Sequence, residues 1–252
     1  MPRNVPARSG ALDLRPLSAR SVVLSLLLGT HPPELAAREL VPLVEGFGVG
    51  GSTLRAALSR MVAAGDLRRT GAGYRLNDRL LDRQRRQDDA VRPRTCGWDG
   101  DWEMAVVTAS GRGPAERADL RTRLTGLRLA ELREGVWLRP ANLARELPAD
   151  LGEVAQRYTA RPERPARELA ASLWPLDTWS GTARDLLAHI AGADRPADRL
   201  TAYAAVVRHL LADPVLPPRL LPADWPGDEL RAAYTAYQRE LTGAVRARVR
   251  GT

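Results

Sequence analysis

The sequence is poor in several residue types, and each shortage excludes a class of protein. Its single cysteine, Cys96, rules out disulfide bonds within the chain and zinc sites built on clustered cysteines. No apolar run reaches membrane-spanning length, and the stretch from Ser21 to Leu28 is predicted to be a buried helix. Residues 1–17 lack the apolar core of a secretion signal, so we expect a flexible arm there and a cytoplasmic protein.

Lysine is absent as well, so arginine supplies all 38 basic residues and a net charge of +8. Because arginine codons suit GC-rich genomes, the basic charge alone is weak evidence for a nucleic-acid partner. The position of the excess charge is the stronger signal. With 44% hydrophobic and 27% charged residues, the chain is otherwise typical of folded globular proteins, and 252 residues are enough for two or three domains.

Residues 18–78 have the pattern of a winged helix-turn-helix DNA-binding domain, and the first part of that pattern is a pair of helices. Ser18 is a favourable N-cap for a first helix that ends at Gly29. Apolar residues at three- and four-residue spacing predict a second helix from Leu35 to Phe47. Pro42 lies inside it, so a late start or a kink is expected.

The second part of the pattern is a third helix followed by a hairpin. A glycine-rich turn precedes Ser52 and Thr53, one of which is predicted to cap a helix that ends near Ala64. Residues 66–69 and 74–76 are predicted to be short strands joined by a glycine-rich tip. Three helices followed by a hairpin are the pattern of a winged helix-turn-helix. The third helix is then the predicted recognition helix, and the hairpin is the predicted wing.

The basic charge is concentrated in this third helix and hairpin. Between Ser52 and Arg75 there are five arginines and one acid, Asp66, so about a tenth of the chain carries +4 of its net charge of +8. Hydroxyls and arginines at the start and on the exposed face of a helix suit contacts with phosphates and base edges. The predicted DNA-binding residues are Ser52, Thr53, Arg55, Ser59, Arg60, Arg68, Arg69 and Arg75.

The rest of the chain divides into three segments. Residues 79–95 alternate arginine, glutamine and aspartate and are predicted to be a solvated linker helix. In residues 96–164, strands at Trp102–Thr108, Gly126–Ala130, Val136–Arg139 and Tyr158–Arg161 and helices at Ala115–Leu124 and Pro148–Gln156 predict a ferredoxin-like domain. Residues 165–252 are predicted to be a mostly helical domain. The predicted fold class is therefore α+β.

Three stretches of the sequence resemble the phenylacetic-acid degradation repressor (PaaX) family of transcriptional regulators. The first is the helix-turn-helix, with Phe47-Gly48-Val49 and the helix from Leu54 to Gly65. The second joins Trp98-Asp99-Gly100-Asp101-Trp102 to Gly135-Val136-Trp137-Leu138-Arg139-Pro140. The third is the proline-rich stretch from Asp213 to Gly227.

The resemblance implies a homodimeric repressor that binds double-stranded DNA. The sequence shows no catalytic triad, paired carboxylates or cofactor fingerprint, so we expect neither an enzyme nor a cofactor. The resemblance also implies that a small ligand relieves DNA binding, namely an acyl-coenzyme A, phenylacetyl-coenzyme A, in the founding members. Four arginines could hold the phosphates of such an effector, although no glycine-rich phosphate loop accompanies them. They are Arg121, Arg123, Arg139 and Arg161.

Two other functions remain open from the sequence. Winged helices also serve as protein-docking modules, so the chain could be an adaptor. The central domain in this family is similar to a CRISPR-associated nuclease, which needs an acidic metal ligand at the end of its first strand. The strand that begins at Trp102 has no acid at its exit, and the three histidines are far apart, so a nuclease or metal site is not favoured.

Overall fold

The computed structural model describes residues 12, 14–71 and 73–250, with side chains up to residue 244. Most of the predicted N-terminal arm, and Ala72 in the predicted hairpin tip, lie outside these residues. The chain is α+β, as predicted. None of the described helices is long and apolar enough to cross a membrane.

The described helices are α1 (Ala19–Leu28), α2 (Ala37–Gly46), α3 (Gly51–Ala63), α4 (Asp78–Val91), α5 (Pro114–Gly126), α6 (Ala166–Leu173), α7 (Leu176–Ala191), α8 (Pro196–Leu211) and α9 (Gly227–Arg250). The strands are β1 (Glu34–Ala36), β2 (Leu67–Arg69), β3 (Gly73–Leu76), β4 (Trp102–Val107), β5 (Ala130–Arg133), β6 (Val136–Pro140) and β7 (Ala155–Ala160). Two 3₁₀ turns lie at Ala149–Glu153 and Pro218–Leu220.

The described chain forms two compact units. The first combines residues up to 91 with residues 181–211 and from 226 onward, and the second combines residues 92–180 with 212–225. Each unit is therefore assembled from segments that are far apart in the sequence.

The first unit opens with two helices and a short strand. Ser18 caps α1 as predicted, since its hydroxyl accepts a hydrogen bond from the amide of Ser21 at 3.2 Å. The prediction that the second helix begins at Leu35 was wrong. Leu35 belongs to β1 and is buried opposite Tyr74 of β3, a pairing that the local apolar spacing does not reveal.

The strands of the first unit form an antiparallel sheet in the order β1-β3-β2. The two short strands predicted at 66–69 and 74–76 are confirmed as β2 and β3. Gly73 lies opposite Ala36, and a Cβ atom on Gly73 would collide with the carbonyl oxygen of Leu35. Only glycine allows β1 to approach β3 this closely.

The helix predicted after the hairpin is confirmed as α4, but the prediction that it is solvated was wrong. One face of α4 is buried and contacts α1, α8 and α9. That face includes Gln84, whose amide nitrogen donates to the carbonyls of Leu28 at 3.0 Å and Thr30 at 2.9 Å at the end of α1. Part of the buried face of α4 consists of glutamines and not of apolar residues. The spacing of apolar residues in the sequence therefore does not reveal that this face is buried.

The second unit contains an antiparallel sheet in the order β5-β6-β4-β7. The chain order β4, α5, β5, β6, 3₁₀ turn, β7 with this strand order is the predicted ferredoxin-like arrangement. The central strand β4 pairs with β6 and β7 and buries Trp102 and Ala105.

Three predicted elements of this unit were misplaced. The helix predicted over 148–156 is only a 3₁₀ turn, because Ala155 and Gln156 already pair with β4 and leave room for a single turn. For the same reason the last strand begins at Ala155 and not at Tyr158. The strand predicted over 126–130 begins only at Ala130, because α5 continues to Gly126 and Arg128 adopts a φ of 60°.

The proline-rich segment 212–225 belongs to the second unit and is held there by Arg139 of β6. Arg139 is 0% exposed, and its guanidinium donates to the carbonyls of Val215 at 3.3 Å and Pro214 at 3.5 Å and to Asn142 Oδ1 at 2.7 Å. Burial lowers the pKa of Arg139 to about 9. Leu216 and Leu220 then pack against Trp102 in the core of this unit.

Candidate nucleic-acid interface

The helix α3 has one buried and one exposed face. Its buried residues, Leu54, Ala57, Leu58 and Met61, recur at three- and four-residue spacing, and α3 contacts α1 and α2. The predicted DNA-binding residues of α3 are all exposed on the opposite side, namely Ser52, Thr53, Arg55, Ser59 and Arg60. The structure therefore brings these five residues together on one surface.

The start of α3 is capped by backbone alone, so the prediction of a Ser52 or Thr53 cap was wrong. The N-cap is Gly50, which is extended (φ −64°, ψ 148°) and has no side chain to accept a hydrogen bond. Neither hydroxyl is hydrogen-bonded to any residue that the structure describes. The first turn of α3 thus presents amide groups and two hydroxyls, a combination that suits phosphate binding.

Asp66 follows the end of α3 and is the one acid between Ser52 and Arg75. Its side chain is only 5% exposed, and it accepts hydrogen bonds from Arg20 of α1 at 2.8 Å and Arg79 of α4 at 2.7 Å. Asp66 is therefore neutralised by arginines outside this segment. None of the five arginines within it is needed to balance Asp66.

Asn77 and Asp66 together form a junction between the end of α3 and the start of α4. The backbone amide of Asn77 donates to the carbonyl of Asp66 at 3.1 Å, and its side chain donates to the carbonyl of Gly65 and caps α4 at the amide of Leu80. The junction was not predicted, although an acid directly after the helix-ending Gly65 was visible in the sequence.

The three predicted arginines of the hairpin are all exposed, but they divide between two faces of the sheet. Arg68 and Arg75 stand directly opposite each other on β2 and β3, whereas Arg69 pairs with Tyr74 and points to the other face. Like charges in direct opposition destabilise a sheet. Nearby carboxylates moderate this repulsion, since Glu34 of β1 is opposite Arg75 on its other side and Asp78 pairs with Arg68.

Most of these arginines lack a carboxylate partner. Arg68 forms a 2.9 Å ion pair with Asp78, and both side chains are largely exposed. Arg60 reaches the carbonyl of Ala56. Within the described part of the chain, Arg55, Arg69 and Arg75 form no ion pair or side-chain hydrogen bond. Their guanidinium groups are available to bind an external anion.

The arginines considered for an effector's phosphates are all engaged within the second unit. Arg121 pairs with Glu131, Arg123 with Asp150 at 2.5 Å, and Arg161 with Asp101. Arg139 is buried and donates to carbonyl groups. This unit therefore offers no preassembled cluster from the four predicted candidates.

Acidic and metal-ligating residues are dispersed. Among the described residues, no group of three or more His, Cys, Asp or Glu side chains is placed to hold a metal ion. Cys96 is exposed, and His31 pairs with Asp88 at 2.9 Å.

Comparison with protein-family models assigns almost the whole described chain. Residues 18–80 match the model of PaaX-like proteins, and residues 95–160 match the central Cas2-like domain of PaaX proteins. Residues 174–250 match the C-terminal domain of PaaX-like proteins. The chain belongs to the PaaX family. The PaaX resemblance seen in the sequence is thereby confirmed.

Two known proteins are similar to the chain over most of its length. It is 27% identical to the transcriptional repressor PaaX of Escherichia coli (strain K12), over 93% of this chain and 84% of that protein. It is also similar to the solved structure of the Mycobacterium tuberculosis protein Rv0674, with 51% identity and a TM-score of 0.80 over 92% of this chain and 98% of that one.

Proposed function

We propose that this chain is a transcriptional repressor that binds operator DNA through α3 and the β2–β3 hairpin, which act as the recognition helix and the wing. The observation that carries the proposal is the exposed face of α3, where hydroxyls and arginines without a carboxylate partner among the described residues lie opposite a buried apolar stripe. Similarity to a protein described as a transcriptional repressor supports the same function.

Each residue type on α3 has a role that its chemistry suits. Ser52 and Thr53, in the first turn, contact phosphate together with the free amides of that turn. Arg55 and Arg60 extend far enough from the helix to reach base edges in the major groove, where arginine binds guanine through two hydrogen bonds. Ser59 lies between them and can contact a base or a phosphate.

In the wing, Arg68 and Arg75 bind backbone phosphates or the adjacent minor groove. Their direct opposition across the hairpin is relieved when an anion lies between them. Arg69, on the other face, contributes to the long-range attraction of DNA. The N-terminal arm, residues 1–17, adds further phosphate contacts from its own arginines.

The repressor is proposed to act in the cytoplasm as a homodimer on an inverted-repeat operator, and to respond to a small ligand. A two-fold symmetric dimer reads two half-sites whose centres are about one helical turn, or a small multiple of it, apart. Spacing mutations of half a turn in the operator should therefore weaken binding more than spacing mutations of a whole turn.

The first experiment measures binding of the purified chain to the duplex upstream of its own gene and to a scrambled duplex of equal length. Binding is measured by fluorescence anisotropy at several salt concentrations. We expect selective binding to the upstream duplex that weakens steeply with salt, because each neutralised phosphate contributes about 0.9 to the slope of log K against log salt. Equal, weak binding to both duplexes would show that the arginines act only nonspecifically.

A matched pair of variants tests which residues read the DNA. The double variant Arg55→Ala, Arg60→Ala should lose about 1–3 kcal/mol of specific binding for each base contact removed. The control is Arg133→Ala, since Arg133 is exposed on β5 and has no ion pair among the described residues. If the control loses as much selective affinity as the double variant, α3 is not the recognition helix.

The same variants separate the repressor from a protein-docking adaptor and from a nuclease-like protein. An adaptor would show no selective DNA binding in the wild-type protein, and the double variant would leave its weak DNA binding unchanged. A nuclease would shorten the labelled duplex in the presence of Mg²⁺. Either outcome would replace the proposed function.

A further inference from the structure

The first unit contains a cavity between α1, α4, α8 and α9, on elements that the proposed DNA contacts do not use. Its volume is about 140 Å³, close to that of an engineered cavity of about 150 Å³ that admits benzene. The lining includes Leu24 and Leu28 of α1 and Val207 of α8, which are buried and apolar. The space therefore suits one aromatic ring.

One wall of the cavity is aromatic. The rings of Tyr203 and Tyr237 are stacked, with centroids 4.0 Å apart and planes 7° from parallel, and Tyr234 lies 6.3 Å from Tyr203 at a tilt of 57°. All three rings line the cavity. A planar ligand ring can extend this group by stacking or by an edge-to-face contact.

The tyrosine wall also contains a polar group without a partner. Tyr237 is only 7% exposed, and its buried hydroxyl has no hydrogen-bond partner among the described residues. A buried hydroxyl without a hydrogen bond lowers the stability of the folded protein. Native proteins therefore rarely contain one unless a ligand or a water molecule supplies the missing hydrogen-bond partner. The cavity is where such a ligand would meet this residue.

The open side of the cavity is positively charged. Three arginines from three different helices line it, Arg20 of α1, Arg83 of α4 and Arg208 of α8, and their side chains are exposed while the tyrosines are buried. Among the described residues that line the cavity, none is acidic. Neither Arg83 nor Arg208 pairs with a carboxylate of any described residue.

The charges of these arginines oppose one another. Partial burial and then the neighbouring charges of Arg20, Arg86 and Arg208 lower the pKa of Arg83. Arg20 has Asp66 as its counterion, but Arg83 and Arg208 have none among the described residues, and such cations are unfavourable until an anion binds between them. The aromatic wall and the volume of the cavity favour a ligand with a ring, and the arginines favour a ligand with a negative charge.

We propose that this cavity binds a small anion that carries one aromatic ring, with the ring against Tyr203 and Tyr237 and the anionic group between Arg83 and Arg208. The volume limits the enclosed part of the ligand to about one ring. A carboxylate would accept hydrogen bonds from the guanidinium groups, and the unpartnered hydroxyl of Tyr237 could donate another.

Arg20 offers a route from the cavity to α3. It lines the cavity and also donates to Asp66 directly after α3, through Nε at 3.2 Å and Nη2 at 2.8 Å. An anion in the cavity competes with Asp66 for this guanidinium. Occupancy should therefore weaken the junction that holds the end of α3, a step that rests on the proposed DNA-binding function.

Isothermal titration calorimetry with benzoate and the full chain tests the site without DNA. We expect saturable one-to-one binding with a Kd of about 1 mM or tighter, and at least about ten-fold weaker binding to Arg83→Gln, which removes one charge-assisted contact. Tyr237→Phe should bind several-fold more weakly and yet unfold at no lower temperature, since it loses only an unpartnered hydroxyl.

Two controls define specificity. Arg85→Gln alters an exposed arginine of the same helix that neither lines the cavity nor is among the charges that lower the pKa of Arg83, and it should bind benzoate within about two-fold of the wild type. Benzamide, which has the ring without the charge, and acetate, which has the charge without the ring, should both bind at least about ten-fold more weakly. Equal binding of benzoate to wild type and Arg83→Gln, or no saturable binding, would overturn the site.

The coupling to α3 has its own readout. The Kd for the upstream duplex is measured with and without saturating benzoate, and we expect at least about three-fold weaker DNA binding with benzoate for the wild type and no change for Arg83→Gln. Unchanged DNA affinity in the wild type would overturn the coupling. Absence of selective DNA binding without benzoate would overturn the proposed function, whereas the calorimetric result would stand.

Discussion

At the scale of single residues, Asp66 decides how the charge of the candidate interface is distributed. It is a buried acid that two arginines from outside the segment neutralise, Arg20 and Arg79. Removal of one partner from a buried charged network is costly, because the remaining charges stay desolvated. Asp66 is thus a structural residue at the base of α3, and none of the interface arginines is needed to balance its charge.

We predict that Asp66→Asn lowers the free energy of unfolding by about 2 kcal/mol or more, because two charge-assisted hydrogen bonds lose their charge. Urea denaturation followed by circular dichroism measures the change. The matched control is Asp82→Asn on α4, whose ion pair with Arg85 is largely exposed and should contribute less than about 0.5 kcal/mol. Equal changes in the free energy of unfolding would show that the hydrogen bonds of Asp66 contribute no more stability than an exposed ion pair.

At the scale of elements, the hairpin depends on how closely β1 approaches β3. The exposed Arg68 and Arg75 are presented by two strands of only three and four residues, so the third strand, β1, is needed to hold them. Gly73 makes the contact possible, since any side chain there would meet the backbone of Leu35 and Ala36.

Gly73→Ala should therefore destabilise the first unit by about 2 kcal/mol, because β1 must move away and loses its pairing with β3. Gly71→Ala, in the same hairpin, is the control, as a Cβ there would meet nothing within 4 Å. That substitution should be neutral or slightly stabilising. Thermal unfolding of both variants measures the difference, and similar melting temperatures would contradict the close approach.

At the scale of the whole molecule, C-terminal helices complete the N-terminal unit. The helices α8 and α9 pack together and bring Tyr203 and Tyr237 into contact, and α4 packs on both. Burial raises the pKa of Tyr234 to about 12 and raises that of Tyr237 further. An unfolded tyrosine ionises near pH 10, so these residues link global stability to pH.

The sign follows from the raised pKa values. Both tyrosines contribute stability fully below about pH 10 and lose it as the pH rises toward their folded-state values, because the unfolded chain ionises first. Urea denaturation should show that the wild type loses about 2 kcal/mol between about pH 9 and 11 relative to the variant Tyr234→Phe, Tyr237→Phe. The comparison cancels the opposite contribution of Arg139, whose lowered pKa favours the folded state as the pH rises. Parallel pH profiles would contradict burial of the two hydroxyls.

The sequence by itself was enough to predict the elements whose signals are local. The apolar stripe of α3 from Leu54 to Met61, the cap at Ser18 and the hairpin glycines predicted α1, α3, β2 and β3, and the three PaaX-like stretches predicted the family. The same local pattern placed the arginines of α3 on the exposed face. A helix places residues three and four apart on one face whatever surrounds it.

Only the tertiary structure decided what depends on distant partners. The strand β1 exists because Leu35 and Ala36 meet β3, and the face of α4 with Gln84 is buried because it caps α1. In the same way Asp66 is neutralised from α1 and α4, and Arg139 is buried by the carbonyls of residues 214 and 215. Buried polar groups carry no apolar periodicity, since hydrogen bonds to residues far along the chain replace the apolar contacts.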